Sequence, residues 1–181
     1  IQAVELYLGT VLAGGVYLPL NTDYTPSELS YFLDDAAPRV FVCDPALESK
    51  LVPVAAQAEV EVLLTLDSQG QGGTLFEEQQ LQVGGFEARE RAESDLAAIL
   101  YTSGTTGRSK GAMLSHKALA SNALTLSKFW HFEAKDRLIH ALPIFHTHGL
   151  FVALNVTLSS GSSLYWLTKF NRDRMVQLMA K

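Results

Sequence analysis

The chain has 181 residues, enough for one domain with a core of its own. At 48% hydrophobic and 18% charged residues, its composition is that of a folded globular protein and not of a disordered one. A formal charge of −5 argues against a protein whose main work is coating nucleic acid, and no apolar run is long enough to cross a bilayer as a helix.

Ile1, Val4, Leu8, Val11 and Leu12 recur at helical spacing, and Gly14-Gly15 stops that helix. "VYLPLN", residues 16–21, reads as a short buried strand. In "TPSELSYFLDDAAP", Thr25 can cap a helix, Pro26 suits its first position, Glu28 completes a capping box and Pro38 ends it. "RVFVCD" is a strand, "PALESKLVPVAAQA" a helix interrupted near Pro53, and "VEVLLTLD" another strand. "SQGQGG", residues 68–73, reads as a flexible surface loop, with a short helix in "TLFEEQQLQ" after it.

"SDLAAILYT" is the next strand, followed by a loop and the short strand "GAML". Ser115 can cap the helix "HKALASNALTLSKFW". "RLIHALP" is strand-like, "HGLFVALNVTLSSG" helical, "SSLYWL" a strand, and a last helix starts near Asn171. This alternation predicts an α/β fold: a largely parallel sheet with helices on both faces. Residues 1–66 alternate helix and strand, 67–92 connect, and 93–181 carry the chemistry. Both ends lie inside helical patterns, so we expect a piece of a longer protein. The lone Cys43 sits in a strand and reads as an inert core thiol. One cysteine cannot form an internal disulfide, which suits a reducing compartment, and the expected location is cytoplasmic.

The loop after Tyr101, in "YTSGTTGRSKGAML", holds many hydroxyls, two glycines, two cations and no carboxylate. A polyphosphate wants that set. Gly104 and Gly107 let backbone N–H groups approach an anion, Thr102, Ser103, Thr105, Thr106 and Ser109 add hydroxyls, and Arg108 and Lys110 add charge. The spacing is not that of a Walker A loop, whose lysine follows the second glycine directly and opens a helix. A flexible Ser/Thr/Gly hairpin loop without a ligand is the alternative, although ordinary turns favour Asp and Asn, which this loop lacks.

The second cluster is "ALPIFHTHGLF", residues 141–151. His146 and His148 flank Thr147 just before a helix expected near Gly149. An incoming carboxylate would meet imidazole donors, the helix dipole and an apolar wall at Phe145. Two histidines satisfied by backbone in a strand-to-helix turn is the alternative. A zinc site would need further Cys, Asp or Glu, and none stands nearby. His116, His131 and His140 read as structural.

Three blocks, in this order, resemble the adenylate-forming superfamily of acyl-CoA synthetases, luciferase-like enzymes and peptide-synthetase adenylation domains. They are "LGTVLAGGVYLPLN" (8–21), "YTSGTTGRSKGAMLSH" (101–116) and "LPIFHTHGL" (142–150). The likeness is weakest over residues 44–92. Within the superfamily, "ALPIFHTHGLFVALNVTLSSGSSLYWLTKFN" is most similar to bacterial malonyl-CoA synthetases.

The resemblance implies an ATP-dependent carboxylate–CoA ligase that works through an acyl-adenylate, using ATP, Mg²⁺ and coenzyme A on a small carboxylic acid, with malonate the expected one. The alternatives are a fatty-acyl or aryl-CoA ligase of the same superfamily and a non-catalytic ATP-binding module. It assigns Thr102–Lys110 to the β- and γ-phosphates and His146 to the acyl carboxylate. His148 is added from its proximity, as a donor for a second carboxylate. Lys169, Arg172 and Arg174 match no family motif for a distal carboxylate, and a charged helix start explains them as well. The family's adenine and ribose contacts and its late lysine have no counterpart here. The expectation is therefore part of a large N-terminal domain without its C-terminal partner, inactive on its own.

Overall fold

A computed structural model describes residues 2–102 and 108–180. The chain divides into two compact units. The first joins residues 1–13 to 21–89, and the second joins 14–20 to 90–181.

In the first unit, helix α1 spans Gln2–Leu12 and helix α2 spans Pro26–Ala36. The capping box forms as expected: Glu28 N–H donates to Thr25 Oγ1 at 3.3 Å, and Thr25 N–H donates to the Glu28 carboxylate at 2.8 Å. Ala37, in the left-handed region at φ 44°, closes the helix ahead of Pro38. Strand β1, Val40–Cys43, pairs in parallel with β2, Val62–Thr65, as a helical crossover requires. The crossover is a 3₁₀ turn at Pro45–Leu47 followed by helix α3, Glu48–Gln57. Pro53 does not interrupt α3, contrary to the sequence reading. Buried Leu51 and Ala55 hold the helix on either side of the missing N–H.

Helix α4 spans Thr74–Leu81. The loop before it is organised by the Asp67 carboxylate, which accepts N–H bonds from Gln69 and Gln71, both at 3.0 Å. Leu29, Phe32, Leu33, Phe41, Leu51 and Ala55 are buried in this unit together with Cys43. Burial pushes the Cys43 thiol up, as an inert core cysteine requires.

In the second unit, β3 (Leu96–Thr102) and β4 (Lys110–Ser115) form an antiparallel hairpin. Tyr17 adds one parallel bridge to β3: its N–H donates to Ala97 O at 2.9 Å, and Ile99 N–H donates to Tyr17 O at 3.0 Å. The strand expected over 16–21 is reduced to this bridge, because Pro19 has no N–H with which to extend the ladder. Helix α5, His116–Phe129, is capped by Ser115, as expected. Strand β5, Arg137–His140, pairs in parallel with β6, Ser163–Trp166.

Between β5 and β6 the chain forms a π-helical segment, His148–Leu154, continuous with helix α6, Asn155–Ser160. Gly161 ends α6 in the left-handed region at φ 69°. Helix α7, Arg172–Met179, starts at an Asn171 cap. The fold is α/β as predicted. The described strands nonetheless pair in twos, as three small sheets of which two are parallel. The hairpin is the antiparallel one, since a short loop cannot join parallel neighbours.

Candidate functional site

The second unit carries both sequence clusters. Strand β3 reaches the first of them from a fully covered base, where Ala97 and Ala98 have no solvent exposure. Cross-strand pairing then runs Leu100 to Ala112, Tyr101 to Gly111 and Thr102 to Lys110. Gly111 leaves room for the Ile99 and Tyr101 side chains, since an added Cβ would fall 2.9 Å from Ile99 Cγ2 and 3.4 Å from Tyr101 Cζ. The hairpin therefore delivers Thr102 and Lys110 opposite each other, as the last pair before the loop.

Thr102, Arg108 and Lys110 are exposed and Ser109 is half-buried. Ser103, Gly104, Thr105, Thr106 and Gly107 lie outside the described residues. The described ends present two cations and two hydroxyls, a donor set for an anion. Between Thr102 and Lys110 the sequence holds no carboxylate to oppose one.

The second cluster begins where β5 ends. His140 is 1% exposed, yet it is a histidine. Its ring stacks on Trp166, with centroids 4.6 Å apart and planes 6° from parallel. Its Nε2 lies 2.8 Å from Gly149 O. A carbonyl only accepts, so Nε2 carries the hydrogen. Nδ1 is buried without a partner among the described residues. The chain turns after Pro143, where His146 N–H points to Pro143 O at 3.4 Å and Leu150 N–H donates to His146 O at 3.0 Å.

His146 and His148 both stay exposed, and the Phe145 ring packs against His146 with centroids 4.4 Å apart. The helix starts at His148, as the helical reading of "HGLFVALNVTLSSG" implies, and no side chain among the described residues caps it. Gly149 is obligatory here: a Cβ would fall 2.1 Å from Pro143 O. Leu150 and Phe151 are buried at 0% and 3% exposure and belong to the core.

The π-helical winding and the His140 bond were not foreseen. Seven residues of periodic apolar sequence look alike in α and π form, and His140 stands as an isolated histidine in a strand. Among the described residues, no group of three His, Cys, Asp or Glu side chains could hold a metal ion. Nor is any helix among them long and apolar enough to cross a membrane.

The crystal structure of ATP-bound MatB from Rhodopseudomonas palustris is 54% identical with a TM-score of 0.95, over 99% of this chain and 35% of that one. A malonate–CoA ligase of Arabidopsis thaliana is 32% identical over 164 residues, 91% of this chain and 27% of the plant protein. A long-chain-fatty-acid–CoA ligase (FadD1) from Archaeoglobus fulgidus has a TM-score of 0.88 at 26% identity, over 98% of this chain and 35% of that one. The chain thus spans between 27% and 35% of the length of these relatives. The family described as AMP-binding enzyme matches residues 1–181 from end to end, and the chain belongs to that family.

Proposed function

We propose that the enzyme carrying this chain is an AMP-forming acid–CoA ligase that joins malonate to coenzyme A. The supporting observation is the 54% identity to an ATP-bound MatB structure across 99% of the chain. Malonate is the acid for which the plant relative is named, and a ternary complex named for malonyl-CoA ligase, with methylmalonyl-CoA and AMP, matches at 27% identity.

In this reading a carboxylate oxygen attacks the α-phosphorus of ATP. An O–P bond forms, the bond to the β-phosphate bridge breaks, and pyrophosphate leaves. The thiol sulfur of coenzyme A, giving up its proton, then attacks the acyl carbon, and AMP departs with the shared oxygen. The loop Thr102–Lys110 would hold the β- and γ-phosphates, with Ser103, Gly104, Thr105, Thr106, Gly107 and Ser109 as donors and Arg108 and Lys110 as charge. His146 would border the reacting carboxylate and His148 the distal one. Mg²⁺ borne by ATP would offset the repulsion between the two anions. A cytoplasmic location belongs to the same proposal.

The FadD1 likeness keeps a fatty-acyl substrate as the competitor. Leu150 and Phe151 are taken up by the core, which leaves Phe145 as the apolar wall at the turn. Pyrophosphate release by the full-length enzyme with malonate, acetate and octanoate separates the two readings. Malonate should be the best acid by kcat/KM. Octanoate in first place would reverse the assignment, and no acid-dependent release at all would end it.

A further inference from the structure

We infer that His140 is a positioning residue for the acid subsite: through Nε2–H donated to Gly149 O it holds the turn that presents His146 and His148. The inference rests on the ligase reading for its substrate, but its structural half stands apart from it.

A histidine at 1% exposure on a short strand is a costly choice where an aliphatic residue would pack. Burying it leaves Nδ1 without a partner among the described residues. What the residue gains is one bond, 2.8 Å long, to the carbonyl of Gly149. That carbonyl lies one residue beyond His148, at the position where a Cβ would fall 2.1 Å from Pro143 O. The turn is therefore held at both ends. Pro143 O meets His146 N–H, Leu150 N–H meets His146 O, and His140 anchors Gly149 from the side. The main chain of His146 is gripped on both of its polar groups while its side chain stays exposed. Trp166 on the paired strand keeps the His140 ring flat and in place.

Two variants of the full-length enzyme isolate the donor. His140→Leu and His140→Gln both lose the ring stacked on Trp166, but glutamine returns an N–H at about the reach of Nε2. We expect His140→Leu to raise the KM for malonate roughly three- to tenfold, the worth of one net hydrogen bond. The KM for ATP should not move, and His140→Gln should restore most of the malonate value. Equal losses in both variants, or a matching rise in the KM for ATP, would make His140 a packing residue and overturn the inference.

Nitrogen-15 histidine NMR of the unaltered enzyme tests the bond without mutation and without turnover. The Nε2–H tautomer is expected at His140, and an Nδ1–H tautomer overturns the proposal even if both variants fail to fold. Should the unaltered enzyme release no pyrophosphate with any acid, the ligase reading falls and takes the substrate half with it. Normal turnover with unchanged malonate KM in both variants sinks the inference alone.

Discussion

Lys110 stands across the hairpin from Thr102, so its position depends on strand register and not on the loop it closes. Removing its charge should therefore leave the fold intact and weaken the nucleotide alone. A hydrogen bond to a charged group is worth about 1.5–3 kcal/mol, so Lys110→Ala should raise the KM for ATP about ten- to hundredfold, with the KM for malonate little changed. Steady-state kinetics on the full-length enzyme check this, and an unaltered ATP dependence would remove the loop from the site. Gly149 is the opposite case, where bulk rather than charge is at stake. A Cβ 2.1 Å from a main-chain oxygen has no flexible neighbour to displace. Gly149→Ala should lower stability by about 1–3 kcal/mol, read as a drop in Tm, and should impair malonate use as well. An unchanged Tm would mean that the turn can shift freely. The loop and the His146-Thr147-His148 cluster can be proposed from sequence because their chemistry is concentrated in a few neighbouring residues. His140 was not, since its partner Gly149 is chosen by the path of the folded chain.

Elements were legible wherever their ends carry local signals. Thr25 with Glu28, Ser115 and Asn171 each cap a helix, and Gly161 stops one, as their residue types imply. What failed was weighing a local signal against packing: Pro53 reads as a break, yet buried neighbours carry α3 through it. The Gly/Gln-rich loop before α4 is another such case, because Asp67 organises it. N–H donors, Gln71 first, hold the Asp67 carboxyl below the ordinary aspartate range. A folded value below the unfolded one, about 3.9, means that the ionised form stabilises the fold. That contribution is fully present above the unfolded value and is lost as pH falls through the folded one. Asp67→Asn should therefore melt lower than the unaltered protein at pH 7, and the gap should shrink on acidification below about pH 4. Thermal melts across that range decide it, and a gap that ignores pH would speak against the carboxylate's role.

At the scale of the whole chain, alternation of helix and strand announced the α/β class but not which strands would meet. Pairing is non-local, and three two-stranded sheets satisfy the same alternation as one broad sheet. The link least visible in sequence is Tyr17, which lies far from its partners on β3. Residues 14–20 belong with 90–181 in one compact unit, so that unit is closed by a segment from the other side of 21–89. This predicts the effect of a cut. A piece starting at Glu90 would leave Ile99 N–H and Ala97 O without Tyr17, and would expose the edge beside two alanines that are otherwise fully covered. An open, apolar strand edge invites pairing with other copies. Residues 90–181 alone should therefore aggregate or unfold at lower denaturant than residues 14–181, as read by circular dichroism and light scattering. Within the longer piece, Tyr17→Pro removes the N–H that bonds Ala97 and should reproduce part of the loss. Equal stability of the two pieces would show that the hairpin, and the cation it positions, stands without the Tyr17 bridge.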